Sequence, residues 1–354
     1  MLDYSDCIRD AKEAYTKMPD DRVTMSIKRS NNSVPQAAQW KKSKTVVTYA
    51  PDVEVETDIC TLNFQIPSDL APSVLLYYRL TNFFQNHRRY VKSLDSEQLK
   101  GKALDNSTIN NGLCDPLRLN ATVKDGGFAY YPCGLIANSQ FNDSFSSPVL
   151  LNVPRNAERS LRRRADNETY PMTERNIAWE SDKSLYGKTQ YTWDQVAPPP
   201  NWMKRYPNGY TKDHPPPNLH EDEAFQVWMR TAGLPTFSKL ALRNDQDVMR
   251  EGIYELRIED SEPSSRLLSA CKRPTDVLDR LPCDCVRRIQ VHRHLNGDGH
   301  RGQKSFPGYR LRRRQWYLRD TWSPVHGHSP DQAKVCIVRT LIDARSKLTD
   351  GTVS

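Results

Sequence analysis

The sequence predicts a mainly β protein: an antiparallel, sandwich-like domain with long loops and a few short helices. Three observations lead there. Short segments alternate apolar and polar residues with period two, at Leu62, Phe64 and Ile66 and again at Tyr254, Leu256 and Ile258. Long stretches between such segments are broken by proline, including Pro198-Pro199-Pro200 and Pro215-Pro216-Pro217, which neither a helix nor a central strand accommodates. Helical periodicity is brief wherever it occurs. With 37% hydrophobic residues in 354, extended polar loops are expected around a limited core, in one large domain or two modest ones.

In chain order, residues 8–58 read as a loop-rich insertion, and strand character begins at Cys60. Val74 to Thr81 is a continuous apolar and aromatic run, consistent with a strand buried on both faces. It turns abruptly into Asn82-Phe83-Phe84-Gln85-Asn86-His87-Arg88-Arg89-Tyr90, which has neither helical nor strand period. So many specific polar and aromatic residues in a row point to a defined structural device tied to neighbouring loops by hydrogen bonds. Ser93 to Ser96 followed by Glu97-Gln98-Leu99 is a helix start that Gly101 ends. Residues 155–220 are loop material, yet Trp179, Tyr186, Tyr191, Trp193, Trp202, Tyr206 and Tyr210 interleave the prolines. A disordered linker is poor in aromatics, so this stretch reads as an ordered excursion draped over the sheet. Glu221-Asp222-Glu223 opens a helix with acidic side chains at its positive end. Phe225, Trp228 and Met229 then share one face, and Gly233 and Pro235 stop it.

Charge is unevenly placed. Residues 259–354 carry 18 Lys/Arg against 11 Asp/Glu, an excess of seven, whereas residues 1–258 carry 33 against 32. The basic character that would suggest nucleic acid therefore belongs to the C-terminal stretch. Cysteines divide likewise: Cys7, Cys60, Cys114 and Cys133 precede residue 258, and Cys271, Cys283, Cys285 and Cys336 follow it. An even four suits two disulfides in an oxidising compartment, with three pairings open; buried free thiols are the alternative. Sequons at Asn31, Asn106, Asn120, Asn142 and Asn167 point to the same compartment, since none lies in the tail.

The ordered motifs LDYSDC (Leu2 to Cys7), CTLNFQIP (Cys60 to Pro67), YYRLTNFFQNHRRYVKS (Tyr77 to Ser93), PCGLIANSQFNDS (Pro132 to Ser144), IAWESDK (Ile177 to Lys183), PPPNW (Pro198 to Trp202) and FQVWMRTAGLPTFSKL (Phe225 to Leu240) resemble the ligand-effect-modulator, or cell-division-cycle-50, family. Its members are accessory β-subunits of type-IV P-type ATPases, the phospholipid flippases, and the loops look most like fungal members. The resemblance covers roughly residues 2–258, an exoplasmic domain; residues 259–354 match nothing and are expected to be irregular or disordered. It implies an antiparallel β-sandwich-like fold, disulfides Cys7–Cys60 and Cys114–Cys133, and a glycan acceptor at Asn142. It also implies an ATPase partner, no cofactor, and a place on the lumenal or extracellular side of endoplasmic reticulum, Golgi, endosomal or plasma membrane. Candidate interface or structural residues are Asn82, Phe83, Gln85, Asn86, His87, Arg88, Arg89, Tyr90, Trp179, Trp202 and Trp228. Family members carry a membrane helix on either side of this domain. This chain has no apolar run near the twenty residues a span needs and no signal peptide, so a truncated or mis-spliced gene product is the expectation.

Catalytic chemistry is not expected, because no motif supplies a nucleophile with its base. A secreted glycoprotein hydrolase, the alternative, requires a buried acid pair or a nucleophile–base pair in one pocket. The tail offers Cys283-x-Cys285 with Cys271, His292, His294 and His300, residue types that suit zinc, and the basic-aromatic run Leu311 to Tyr317, which suits nucleic acid. Neither has a characteristic ligand spacing, and a frame-shifted or intron-derived tail explains both better.

Overall fold

A computed structural model describes residues 1–26, 36–51, 53–120, 127–153, 166–260 and the backbone of 286–293. Its strands in chain order are β1 (Thr16–Lys17), β2 (Gln39–Ala50), β3 (Val53–Ile66), β4 (Val74–Thr81), β5 (Ala129–Tyr130), β6 (Ser144–Phe145), β7 (Val149–Val153), β8 (Asp166–Thr169), β9 (Val196–Ala197), β10 (Phe237–Asn244), β11 (Gly252–Asp260) and β12 (Val286–Arg293). A seven-stranded sheet runs β1-β2-β3-β11-β7-β8, with β6 also on β11; a three-stranded sheet runs β10-β4-β12. Both are antiparallel, while the two-residue β5 and β9 pair in parallel.

The alternations predicted from sequence build the core. β3 and β11 set Tyr254 opposite Phe64, Leu256 opposite Leu62 and Ile258 opposite Cys60, and all six are buried. Side chains of the larger kind among them each contribute about 1.5–3 kcal/mol by leaving water. On the second sheet, Val74, Leu76, Tyr78 and Leu80 face inward. Tyr78 stacks on Phe141 at 4.0 Å and meets Phe145 of β6 at 6.4 Å, so one ring ties the two sheets together. The other face of β4 is half-buried rather than buried, which corrects the two-sided expectation.

Other departures have physical causes. β2 and the first half of β3 occupy part of 8–58, where loop was expected. β2 is an edge strand beyond its two-residue pairing with β1, and it carries Lys41, Lys42 and Lys44. Lysines blunt such an edge against further pairing and erase the alternation that would reveal the strand. β10 was unforeseen because a bulge between Leu240 and Leu242 shifts its register and because its inward set includes Lys239. β12 is a strand on β4 within the stretch expected to lack regular structure.

Helices are short: α1 (Cys7–Asp10), α2 (Arg88–Lys92), α3 (Ser96–Leu99), α4 (Asn106–Asn111), α5 (Leu135–Asn138), α6 (Glu180–Lys183) and α7 (Glu223–Met229). The Asp95 carboxylate caps α3 by accepting from Glu97 N and Gln98 N. Gly101 follows at φ +96°, where an added Cβ would lie 2.2 Å from Lys188 O, so only glycine fits. α7 is fastened at both ends. Asp222 accepts from Phe225 N at 2.8 Å, and Lys239 Nζ donates to the carbonyls of Val227, Trp228 and Arg230 at 2.8, 2.6 and 2.7 Å. The second set satisfies carbonyls that a helix C-terminus leaves open.

Disulfides join Cys7 to Cys60, pinning α1 to β3, and Cys114 to Cys133, in the pairing the resemblance implies. The 155–220 excursion carries only the short β8, α6 and β9 in its described part, yet Tyr186, Tyr191, Trp202, Tyr206 and Tyr210 are buried. It lies on the sheets through β8 on β7 and through the Thr173 bridge to Arg243 of β10, and beyond them on α5, where Trp202 Nε1 donates to Ala137 O at 3.0 Å.

Candidate partner interface

β4 delivers the chain into the Asn82–Tyr90 block. Asn82 has φ +61°, a left-handed conformation asparagine tolerates better than most residues. Phe83 N then donates to Pro235 O at 3.0 Å, Gln85 Oε1 accepts from Ala232 N at 2.9 Å, and Asn86 Nδ2 donates to Gly233 O at 3.1 Å. These bonds zip residues 83–86 to residues 232–235. Beneath the zipper, the Phe83 ring meets Tyr90, Trp228 and Phe237 edge-on at 5.9, 5.6 and 6.2 Å. Tyr90 shares a 2.7 Å hydrogen bond with Ser139, and Trp228 Nε1 donates to Ile136 O at 2.7 Å.

The block thus divides by direction. Gln85, Tyr90 and Trp228 are buried braces. Asn82, Asn86, His87, Arg88 and Arg89 are exposed, and Phe84 is 41% and Leu234 69% exposed on the two zipped loops. The expected hydrogen-bonded device holds for Phe83, Gln85, Asn86 and Tyr90. For the His87, Arg88 and Arg89 side chains it does not: α2 turns Tyr90 inward and its basic residues to solvent.

The tryptophans divide likewise. Trp202 is a buried brace, whereas Trp179 is 63% exposed, with the Arg230 guanidinium 3.4 Å above its ring and Asp182 3.6 Å from Arg230. Sequence reasoning found Trp179 but not its arginine partner, because the two are brought together only by α6 packing on α7. Leu234, an apolar residue between Gly233 and Pro235, was a signal that sequence reading passed over.

A cleft of about 660 Å³ opens between the 140–144 loop, the 201–218 segment and the start of α7. Two carboxyls approach there. Burial raises Asp222 above the usual carboxylate range against its cap bond and Arg205. Burial, and Arg205 beside it, lower His214. Asp222 is engaged at the helix cap and Glu174 is open to solvent, so the pair is not the free buried acid pair a hydrolase requires.

Among the sequons, Asn142 and Asn167 are exposed, and Asn142 lies on the cleft wall. Asn106 is exposed, but its amide donates to Gly127 O and accepts from Ala129 N at 2.9 and 3.1 Å. Asn120 is half-buried and Asn31 lies outside the described residues. Cys271, Cys283, Cys285, His294 and His300 also lie outside them, and His292 is described only as backbone of β12. Among the described residues, no helix is long and apolar enough to cross a membrane.

With this geometry in place, the sequence matches the profile of the LEM3 (ligand-effect modulator 3) family / CDC50 family over residues 1–266. The chain belongs to that family. It is 44% identical over 262 residues to "Phospholipid-transporting ATPase accessory subunit CDC50" of Chaetomium thermophilum, covering 73% of this chain and 62% of that protein. It is 44% identical over 214 residues to "Phospholipid-transporting ATPase accessory subunit CRF1" of Saccharomyces cerevisiae, covering 60% and 49%. Against "Cell cycle control protein 50A" of Bos taurus it is 38% identical over 222 residues, covering 58% and 55%. The match thus spans about half to three-fifths of the length of these relatives.

Proposed function

We propose that the chain is the exoplasmic body of a non-catalytic accessory subunit of a phospholipid-transporting P-type ATPase, supporting that pump's folding, export and transport cycle. The observation that carries this reading is family membership together with relatives named as accessory subunits of such ATPases. Two disulfides and several exposed sequons support a lumenal or extracellular location. ATP hydrolysis belongs to the partner. The subunit acts by binding one of the pump's conformations better than another, which is the only way a bound protein shifts a partner's equilibrium.

The braced block is the preferred contact. Binding energy concentrates in aromatic and arginine side chains, and Phe84 is such a residue on a zipped loop, with Arg88 and Arg89 exposed just after it on α2. The test is co-expression of a type-IV P-type ATPase with this chain, followed by affinity capture. Recovery of the ATPase is expected, and Phe84→Ala combined with Arg88→Ala and Arg89→Ala is expected to cut it at least tenfold with melting unchanged. Absence of the ATPase from every capture overturns the reading; full capture by the triple variant moves the contact elsewhere on the surface.

A further inference from the structure

The cleft beside the 140–144 loop lies apart from the Phe84–Arg89 surface, and a sequon asparagine forms part of its wall. Asn142 stands in the Asn142-Asp143-Ser144 acceptor triplet and is exposed. The triplet runs from loop into the first residue of β6, where Ser144 pairs with Glu259 of β11. Asp143 is buried and accepts from the Tyr4 hydroxyl at 2.7 Å. A sugar chain on Asn142 therefore has a rigid root rather than a swinging one.

What surrounds that root suits a saccharide. Sugars are recognised by aromatic surfaces against their C–H faces and by planar polar side chains, some donating to and some accepting from their hydroxyls. The half-exposed Tyr49 and Phe141 supply the first, and Glu174 and Arg205 supply the second. His214 stacks on Tyr206 at 4.2 Å and stiffens the far wall. At about 660 Å³ the cleft lies within the range of small-ligand sites, roughly 300–1,000 Å³, ample for the innermost sugar of an attached chain.

We propose that this cleft is an intramolecular carbohydrate site whose ligand is the N-acetylglucosamine core of a glycan carried by Asn142. The inference rests on the reading of Asn142 as an acceptor and is independent of any contact with an ATPase. It makes the glycan a packing element between the 140–144 loop and the proline-rich excursion.

The test routes the full chain into the secretory pathway of a eukaryotic host and maps its glycopeptides by mass spectrometry. Release by an endoglycosidase that cuts within the core is timed on native and on denatured protein. Asn142 is expected to be occupied. Its native release is expected to be at least tenfold slower than at Asn167 or another occupied sequon, with equal rates after denaturation. Glu174→Ala and Arg205→Ala, both at exposed positions, are expected to bring the Asn142 rate up to that of the reference with melting unchanged. Equal native rates in the wild-type chain overturn the proposal, as does protection that neither substitution moves. An unmodified Asn142 removes the acceptor reading and the cradle together, while leaving the captured-ATPase result untouched.

Discussion

Gln85 sits at the turn of a polar run and is fully buried, with its side-chain oxygen on Ala232 N and its amide 3.5 Å from the Tyr90 hydroxyl. Replacing it with alanine strands the half-buried Ala232 N–H, a loss of about 1 kcal/mol, so Gln85→Ala is expected to lower the midpoint in urea while Arg88→Ala leaves it in place. Lys239 carries a heavier load: Lys239→Met opens three carbonyls at the end of α7 and is expected to cost about 2–4 kcal/mol, read by the same denaturation. At Asp222 the expectation concerns pH. Its folded-state pKa is raised, so the folded chain keeps a proton that the unfolded chain has released. Stability therefore falls as pH rises from the ordinary carboxylate value through the raised one. Asn caps as well as Asp, so Asp222→Asn is expected to keep α7 and flatten the melting-temperature profile as pH rises above the ordinary carboxylate pKa of about 4. An unchanged slope would assign the dependence to other groups. At this scale the sequence showed which residues were unusual but not their direction: Gln85 and Arg88 look alike in a polar run, and only the loop from residues 232–235 separates brace from surface.

Among elements, the loop between Cys114 and Cys133 is the clearest stability device. The bond closes a sequence separation of 19, worth about 3 kcal/mol through restriction of the unfolded chain. Cys114→Ser with Cys133→Ser is expected to lose about that amount, measured against the wild type under non-reducing conditions; a neutral result would mean that the reduced chain retains the loop by other contacts. Elements with clean period two, β3 and β11, were legible, as were the cap and stop of α3 and the apolar face of α7. Those that a lysine edge or a bulge disguises, β2 and β10, were not. β8 (Asp-Asn-Glu-Thr) has almost no strand propensity and exists because β7 offers it a partner.

For the whole molecule, two sheets share one core through Tyr78, while long loops converge on α5 and α7. The sandwich and both cysteine bridges followed from sequence and resemblance. The cleft did not, because its walls come from residues 49, 140–144, 174–175 and 201–224, and no local pattern announces such convergence. Function is expected to separate from stability: surface changes in the Phe84–Arg89 block should alter ATPase capture alone, and core changes should alter both.

The zipper between residues 83–86 and 232–235 joins positions 147 apart in sequence, one following β4 and the other preceding β10. Those two strands are themselves paired, so the exposed tip is a stiff prong with two roots in one sheet. At the proposed contact, a pump shifting its outer loops against this prong would meet a lever rather than a tether. Force applied at Phe84 would reach the lysine-fastened helix α7 with little slack.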